Sequence, residues 1–353
     1  MSVSERPVRI GVIGIGFGQR AHVPAFSATA GCEVVTLCAS SHERAAKVAA
    51  QLRVPAATGD WHELVADPDI DALAIATPPA LQTTIAAAAL RSGKAVFCEK
   101  PLATTTGEAE SLVELARQFG AANMLDFELP EIAAWRRAKA VLDDGGIGRL
   151  RHIAVNWYVE TYASRMGLDS WKNDPARGGG TLNGFVSHVF HYVEWFAGEI
   201  DSVSAQLSGS PEQGPAGDAL VVAVLRLASG VPVAVTVSTN AFLGSGHRVA
   251  FYGDDGTLVL ENATADYATG FRLYMGTRDI GALEELEVAV SGTAQAVSDG
   301  RVPLVASLAS RFVEWVRHGV PARPDFADGL RVQRLIAAAQ RSNDVGGWVH
   351  GPF

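Results

Sequence analysis

Cysteine is scarce. The 353 residues hold three, Cys32, Cys38 and Cys98, an odd number with no CxxC spacing. A disulfide framework or a zinc knuckle is therefore not expected. Long apolar runs are missing too. The alanine-rich run Ile85–Leu90 falls far short of the roughly 18 residues that a membrane span needs. Met1 to Arg9 is short and polar, and the strand after it runs into glycines with no cleavage pattern, so no signal peptide is expected. Basic clusters are also absent: 29 Lys and Arg stand against 38 Asp and Glu, a net charge of −9. That balance argues against nucleic acid as a partner. The expectation is a cytoplasmic protein with no membrane attachment. What is present is an ordinary globular mixture, 48% hydrophobic and 19% charged, which leaves no room for long disorder. A chain this long needs more than one core.

The first 120 residues alternate between two periods. Short apolar runs begin at Val8, Glu33, Ala72 and Ala95, and helical stretches separate them. Strands alternating with helices predict a doubly wound parallel sheet covered on both faces. The second half reads differently. After a helix over about Glu131 to Asp143, β runs at Leu150–Val159, Ser202–Ser208, Ala219–Leu227, Val231–Ser238, Arg248–Tyr252 and Thr257–Glu261 follow one another, with a helix over 181–196 interrupting. Turns such as Ala228-Ser-Gly and Gly253-Asp-Asp-Gly predict mostly antiparallel pairing. The fold class expected is α/β: a parallel-sheet domain over 1–122, then an α+β domain over 123–353 with one large open sheet. Gly292–Gly300 reads as a surface loop. Helices over Leu304–His318 and about Ala327–Ser342 close the chain, and the last is expected to pack back on the first domain.

Gly11-Val-Ile-Gly14-Ile-Gly16-Phe17-Gly18-Gln19 lies between the first strand and the first helix. Gly14 and Gly16 take the first two places of the dinucleotide fingerprint, one for the tight turn and one for pyrophosphate approach. Gln19 fills the third glycine's place, and Gly18 comes one residue early. The helix start offers N–H groups and a positive dipole end. A turn with no ligand would use the same glycines, but the strand–turn–helix context favours a cofactor. After the second strand, an acid that would grip the adenine ribose is missing. Ala39-Ser40-Ser41-His42 stands there, with Arg44 just beyond. Two hydroxyls and a guanidinium suit a 2′-phosphate, which favours NADP over NAD. Ser40 and Glu43 also read as a capping box for the next helix.

Further motifs bring in a family resemblance. Glu99-Lys100-Pro101 after a strand, Ala21-His22-Val-Pro24, Thr77-Pro78-Pro79, Gly178-Gly-Gly180 with His188, and Phe326-Ala-Asp328-Gly329 together resemble the Gfo/Idh/MocA oxidoreductases over nearly the whole chain. The resemblance implies a Rossmann domain followed by an open-sheet domain, and hydride transfer between NAD(P) and a hydroxyl or keto carbon of a sugar-like substrate. It implies assembly as a homodimer or homotetramer. It makes Lys100 and His188 the catalytic pair. Together with the glycine loop and the residues after the second strand, it gives Gly14, Gly16, Phe17, Gly18, Gln19, Ser40, Ser41, Arg44, Thr77, Pro78, Glu99 and Lys100 as the expected cofactor contacts.

The pattern also departs from the family. Gly184 stands four residues before His188, where a carboxylate is usual. His191 replaces the usual aspartate, and Gln82 stands where histidine is frequent. As a helix, this segment puts Leu182, Val186, Val189 and Val193 on one face, and Gly184, His188, His191 and Trp195 on the other. His188 and His191 alone make no metal site, so no metal is expected. Asp126, Glu128, Tyr158, Tyr162, Trp171, Lys172, Asn183 and His191 are the candidate substrate contacts, since aromatics stack on sugars and polar tips bind their hydroxyls. Trp157 and Trp171 serve equally well as packing residues, and Trp135 and Trp195 read as packing. The missing carboxylate leaves two alternatives open: an enzyme that uses nicotinamide without net redox, as a glycosidase or lyase, or a cofactor-binding protein with no catalysis.

Overall fold

A computed structural model describes residues 6–166, 170–174, 177–209, 217–264, 266–288 and 299–353. The chain forms two compact units, Met1–Glu128 with Ala296–Gln333, and Leu129–Gln295 with Arg334–Phe353.

The first unit carries a six-stranded sheet: β1 (Val8–Ile13), β2 (Cys32–Cys38), β3 (Ala56–Thr58), β4 (Ala72–Ile75), β5 (Ala95–Cys98) and β6 (Asn123–Leu125). Their order is β3-β2-β1-β4-β5-β6 and every pair is parallel. This is the order in which doubly wound sheets bind dinucleotides at the reversal point beside β1. Buried on both faces, β4 and β5 read as unbroken apolar runs rather than alternating ones. The helices are α1 (Val23–Ala28), α2 (His42–Leu52), α3 (Trp61–Ala66), α4 (Pro79–Arg91) and α5 (Thr106–Phe119). Thr105 caps α5 with Glu108 in a full capping box. The box expected at Ser40 and Glu43 lies elsewhere: Ser41 caps α2 by accepting from the Arg44 N–H. Ser40 is left to accept from the Arg44 guanidinium at 2.7 Å.

The division expected at residue 122 moves. β6 begins at Asn123 and pairs with β5, so the first unit runs to Glu128. Residues 296–333 also belong to it. Within them α9 (Arg301–His318) buries Val305, Leu308 and Phe312 against Phe26 of α1 and Phe97 of β5. The Phe26, Phe97 and Phe312 rings meet edge to face at 5.3–6.2 Å. Asn123 Oδ1 accepts from the Phe326 N–H, which fixes the start of α10 (Phe326–Val345). The loop expected at 292–300 lies outside the described residues up to 298.

In the second unit a nine-stranded sheet holds β7 (Leu150–Tyr158), β8 (Ile200–Gly209), β9 (Asp218–Leu227), β10 (Pro232–Ser238), β11 (Gly246–Gly253), β12 (Gly256–Asn262), β13 (Arg272–Thr277), β14 (Glu284–Glu285) and β15 (Val349–His350). Their order is β14-β13-β12-β11-β7-β10-β9-β8-β15. All neighbours are antiparallel except β7 and β10, which pair in parallel. Ile153, Val155, Val233, Val235, Val221, Ala223, Val249 and Phe251 alternate onto one buried face. α7 (Tyr162–Arg165) is a single turn after β7, and the buried face receives α6 (Ala133–Asp143) and α8 (Ser187–Ala197). Trp135 of α6 and Tyr192 and Phe196 of α8 are buried there, with their rings 4.8–5.5 Å apart. No helix among the described residues is long and apolar enough to cross a membrane.

Candidate active site

In the first unit, the expected cofactor residues gather at one edge. Gly14 follows β1, Ser40 follows β2, Thr77 follows β4 and Glu99 follows β5, all at C-terminal strand ends. Gly14 has φ +107°, and a Cβ there would lie 2.8 Å from the Ala76 carbonyl carbon and nearer still to its oxygen. Only glycine fits. Gly16 is different: its φ is ordinary, it is exposed, and a Cβ would meet nothing within 4 Å. Its backbone stands open to any group that approaches it.

No side chain caps the helix that starts after Phe17, and the Thr77 hydroxyl is buried without a hydrogen-bond partner. Uncapped N–H groups, bare backbone and an orphaned hydroxyl fit a dinucleotide phosphate. The Arg301 guanidinium, paired with Asp299, lies 4.7 Å from the Phe17 ring centre. That charge beside the glycine loop escaped the sequence reading, because nearly 300 residues separate Arg301 from Phe17.

Lys100 follows β5, and its bond to Pro101 is cis. The backbone around it is held from below. Gln82, buried in α4, donates from Nε2 to the carbonyls of Glu99 at 2.6 Å, Pro101 at 3.0 Å and Leu102 at 3.4 Å. The Gln82 departure therefore has a structural role.

Asp126 and Glu128, expected among the substrate contacts, are buried. They are 1% and 2% exposed and belong to the first unit. Asp126 meets His22, whose ring is fully buried. His22 Nε2 lies 3.3 Å from Asp126 Oδ2 and 3.2 Å from Glu99 Oε1. Burial alone would push the His22 pKa down, but the hydrogen bonds to Asp126 and Glu99 outweigh it and raise it to about 9. The Asp126 carboxyl is pushed well above the usual range by burial, and by the charges of Glu128 and Glu99. His22 reaches this place through an irregular turn: the Val23 N–H bonds Gly18 O, an i→i+5 link that inserts one residue into the helix.

The second unit holds the other half of the expected set. A second i→i+5 turn, from the Ser187 N–H to Leu182 O, precedes α8 and sets where His188 points. His188 is 5% exposed, its ring centre 6.3 Å from that of Trp157. Trp157 is buried and stacks flat on His247 at 4.1 Å, and His247 Nε2 lies 3.0 Å from the Tyr192 hydroxyl. Burial drives the His247 pKa down to about 3, so this histidine is neutral scaffolding.

Asn183 is buried and donates from Nδ2 to Gly179 O at 2.9 Å. It tethers the glycine run rather than facing open space. Asp218 accepts from the Leu182 N–H at 2.6 Å and anchors the same turn. Nothing in the sequence pattern pointed to Asp218. Gly184 has nothing within 4 Å of a Cβ, so the place of the usual carboxylate is empty space. Tyr158, Trp171 and His191 are half-buried, while Tyr162 and Lys172 are exposed. Among the described residues the one His, Cys, Asp and Glu grouping with metal-ligand spacing is His22, Glu99 and Asp126, not His188 with His191.

Residues 8–127 match the model of an oxidoreductase family with an NAD-binding Rossmann fold, and residues 135–259 match the GFO/IDH/MocA C-terminal domain. Levoglucosan dehydrogenase of Pseudarthrobacter phenanthrenivorans is 26% identical over 98% of both chains. A solved structure of levoglucosan dehydrogenase with NADH and L-sorbose superposes with a TM-score of 0.87 at 26% identity, covering 98% of this chain and 99% of that one. The 1,5-anhydro-D-fructose reductase of Ensifer adhaerens is 30% identical over 74% of this chain and 78% of its own length. The inositol 2-dehydrogenase of Acidothermus cellulolyticus is 30% identical over 73% and 74%. The chain belongs to the GFO/IDH/MocA oxidoreductase family. It is an NAD(P)-dependent dehydrogenase or reductase acting on CH–OH groups.

Proposed function

We propose that the protein moves a hydride between NADP(H) and a hydroxyl-bearing or keto carbon of a sugar or polyol, with Lys100 and His188 as its catalytic residues. The observation that carries this reading is the held position of Lys100. It follows β5 at the cofactor edge of the sheet, its neighbours' carbonyls bonded by Gln82. When bound, the nicotinamide accepts or donates the hydride. The chain's own residues do the rest. In the oxidation direction the His188 imidazole takes the hydroxyl proton. The Lys100 ammonium stabilises the negative charge that builds on that oxygen. Phe17, Gly18, Gln19, Thr77, Pro78 and the bare backbone at Gly16 hold the dinucleotide. Tyr158, Tyr162, Trp171, Lys172 and His191 supply rings and donors suited to a polyhydroxylated ligand. That choice of substrate class is supported by the sugar- and inositol-acting relatives.

The preference for NADP rests on Ser40 and Arg44. They pair at 2.7 Å at the end of β2, with no acid replacing the ribose-binding carboxylate there. The protein assembles as a homodimer or homotetramer through its second-unit sheet, where Val222 and Val224 stand 43% and 42% exposed on the open face. Native mass spectrometry reads that state directly.

The deciding experiment follows reduced-nicotinamide absorbance with a panel of sugars and polyols. Net turnover that Lys100→Ala removes, while NADPH still binds, is the expected result. Product formed with retained, unchanged cofactor would replace this reading with a non-net-redox reaction. NADPH binding with no turnover on any member of the panel would leave a cofactor-binding protein.

A further inference from the structure

Glycines lead into the turn that carries His188, and glycine has no side chain with which to cap a helix. Gly178, Gly179 and Gly180 precede Thr181 and Leu182, whose N–H groups open the first turn. Donors at a helix start have no carbonyl one turn back and need an acceptor from elsewhere. Asp218, 36 residues further on at the start of β9, supplies it. Its Oδ2 accepts from the Leu182 N–H at 2.6 Å, and its carboxylate accepts from the Thr181 N–H as well. Gly180 stands at φ +93°, and a Cβ there would collide with Asp218 Oδ1. The glycine run and the carboxylate are fitted to each other.

The other polar groups lock the turn itself. Thr181 Oγ1 and Thr239 Oγ1 lie 2.7 Å apart. Asn183 Nδ2 donates to Gly179 O at 2.9 Å, and Ser187 Oγ donates to Asn183 O at 2.6 Å. All four side chains are buried. Leu182 is the pivot of this set. Asp218 holds its N–H, and its carbonyl accepts from the N–H of Ser187, the residue before His188. An i→i+5 turn holds one residue more than a turn of α-helix. Losing that residue would rotate His188 against the glycine run by about 100°, the angle that one residue spans in an α-helix. Burial of Leu182 and Val186 fixes the turn against the core, and Asp218 fixes where it starts.

We propose that Asp218 is a positioning residue for His188: from β9 it pins the Leu182 end of the i→i+5 turn and so sets the angle at which His188 stands to the glycine run. The proposal rests on the reading of His188 as catalytic. Asp218 acts through backbone N–H groups, so what the turn requires is an acceptor oxygen at that place.

One arm of the test needs no activity. In Asp218→Ala, amide hydrogen exchange read by mass spectrometry is expected to quicken at least tenfold over residues 181–188 and to keep wild-type rates over 190–197. Wild-type exchange over 181–188 overturns the proposal. In kinetics, Asp218→Ala is expected to lower kcat at least tenfold, with NADPH affinity changed less than twofold. Asp218→Asn, which keeps an acceptor oxygen, is expected to retain most of kcat. The deciding comparison is a double-mutant cycle: in a His188→Asn background, Asp218→Ala is expected to cost less than a further twofold in kcat. An equal loss in both backgrounds overturns the proposal, because Asp218 then supports the fold and not His188. Wild-type kcat in Asp218→Ala overturns it too, as does an Asp218→Asn enzyme as impaired as Asp218→Ala. If Asp218→Ala does not fold, Asp218→Ser, whose oxygen falls short of the Leu182 N–H, takes its place with the same expected outcomes. If His188→Asn keeps wild-type kcat, the catalytic reading of His188 fails instead, and the exchange over 181–188 decides alone whether Asp218 holds the turn.

Discussion

Gly14 and Gly16 are two residues apart in one loop, yet they should fail in different ways. Gly14→Ala forces a side chain into the left-handed region at φ +107°, against the Ala76 carbonyl. The backbone strain costs about 1–3 kcal/mol, and relieving the overlap adds about 1–3 kcal/mol. Little relaxation is available. The Gly14 N–H is bonded to Cys38 O at 2.9 Å and the Ala76 N–H to Ile13 O at 2.8 Å, so three strands lock both partners. A total of about 4 kcal/mol follows from those two terms. With an m-value of about 2 kcal/mol per molar urea, the unfolding midpoint of the first unit falls by about 2 M.

Gly16→Ala meets open space and an ordinary φ, so stability changes by less than about 0.5 kcal/mol. In the proposed cofactor site the added methyl stands where the pyrophosphate approaches. NADPH affinity should drop at least tenfold, about 1.4 kcal/mol. Urea unfolding followed by circular dichroism and a nicotinamide fluorescence titration separate the two. A Gly14→Ala protein with the wild-type midpoint would refute the steric argument. A Gly16→Ala protein that binds NADPH like the wild type would refute the placement of the phosphate.

Three further outcomes are expected. His188→Asn should lower kcat by about a hundredfold or more, the typical share of a general base; an unchanged kcat assigns the proton elsewhere. Arg44→Ala should reduce the ratio of kcat/KM for NADP over NAD about tenfold while leaving the NAD value alone, a change of about 1.4 kcal/mol toward the phosphate; equal losses with both coenzymes would mean Arg44 acts only through helix α2. His247 has a folded pKa near 3 because burial favours its neutral form, below the unfolded value of about 6.5. The unfolded chain therefore takes up a proton first, and stability falls as pH drops below about 6.5. His247→Gln should flatten that slope between about pH 6.5 and 4 in thermal unfolding; a slope identical to wild type counts against it.

Much of this protein was legible along the chain. Alternating apolar runs and helical stretches predicted the parallel sheet, because burial on both faces leaves a local signature in each strand. The glycine loop and the residues after β4 and β5 were found for a similar reason. The C-terminal ends of parallel strands are the chain's own punctuation.

Other features had no local signature. β6 is three residues long, and only its pairing with β5 reveals it. β7 and β10 pair in parallel across intervening strands of the same sheet, so no turn between them announces the register. α9 belongs with the first unit through Phe26, Phe97 and Phe312, a cluster drawn from opposite ends of the chain. The sharpest case is His22 with Glu99 and Asp126. The sequence by itself determined the fold class, the loops at the strand ends of the parallel sheet and the place of Lys100, because periodicity and turn residues are local properties. Only the tertiary structure decided which buried charges meet. An i→i+5 turn breaks the 3.6-residue period that would have placed His22, and partners 77 and 104 residues away close in on it only once the sheet is assembled.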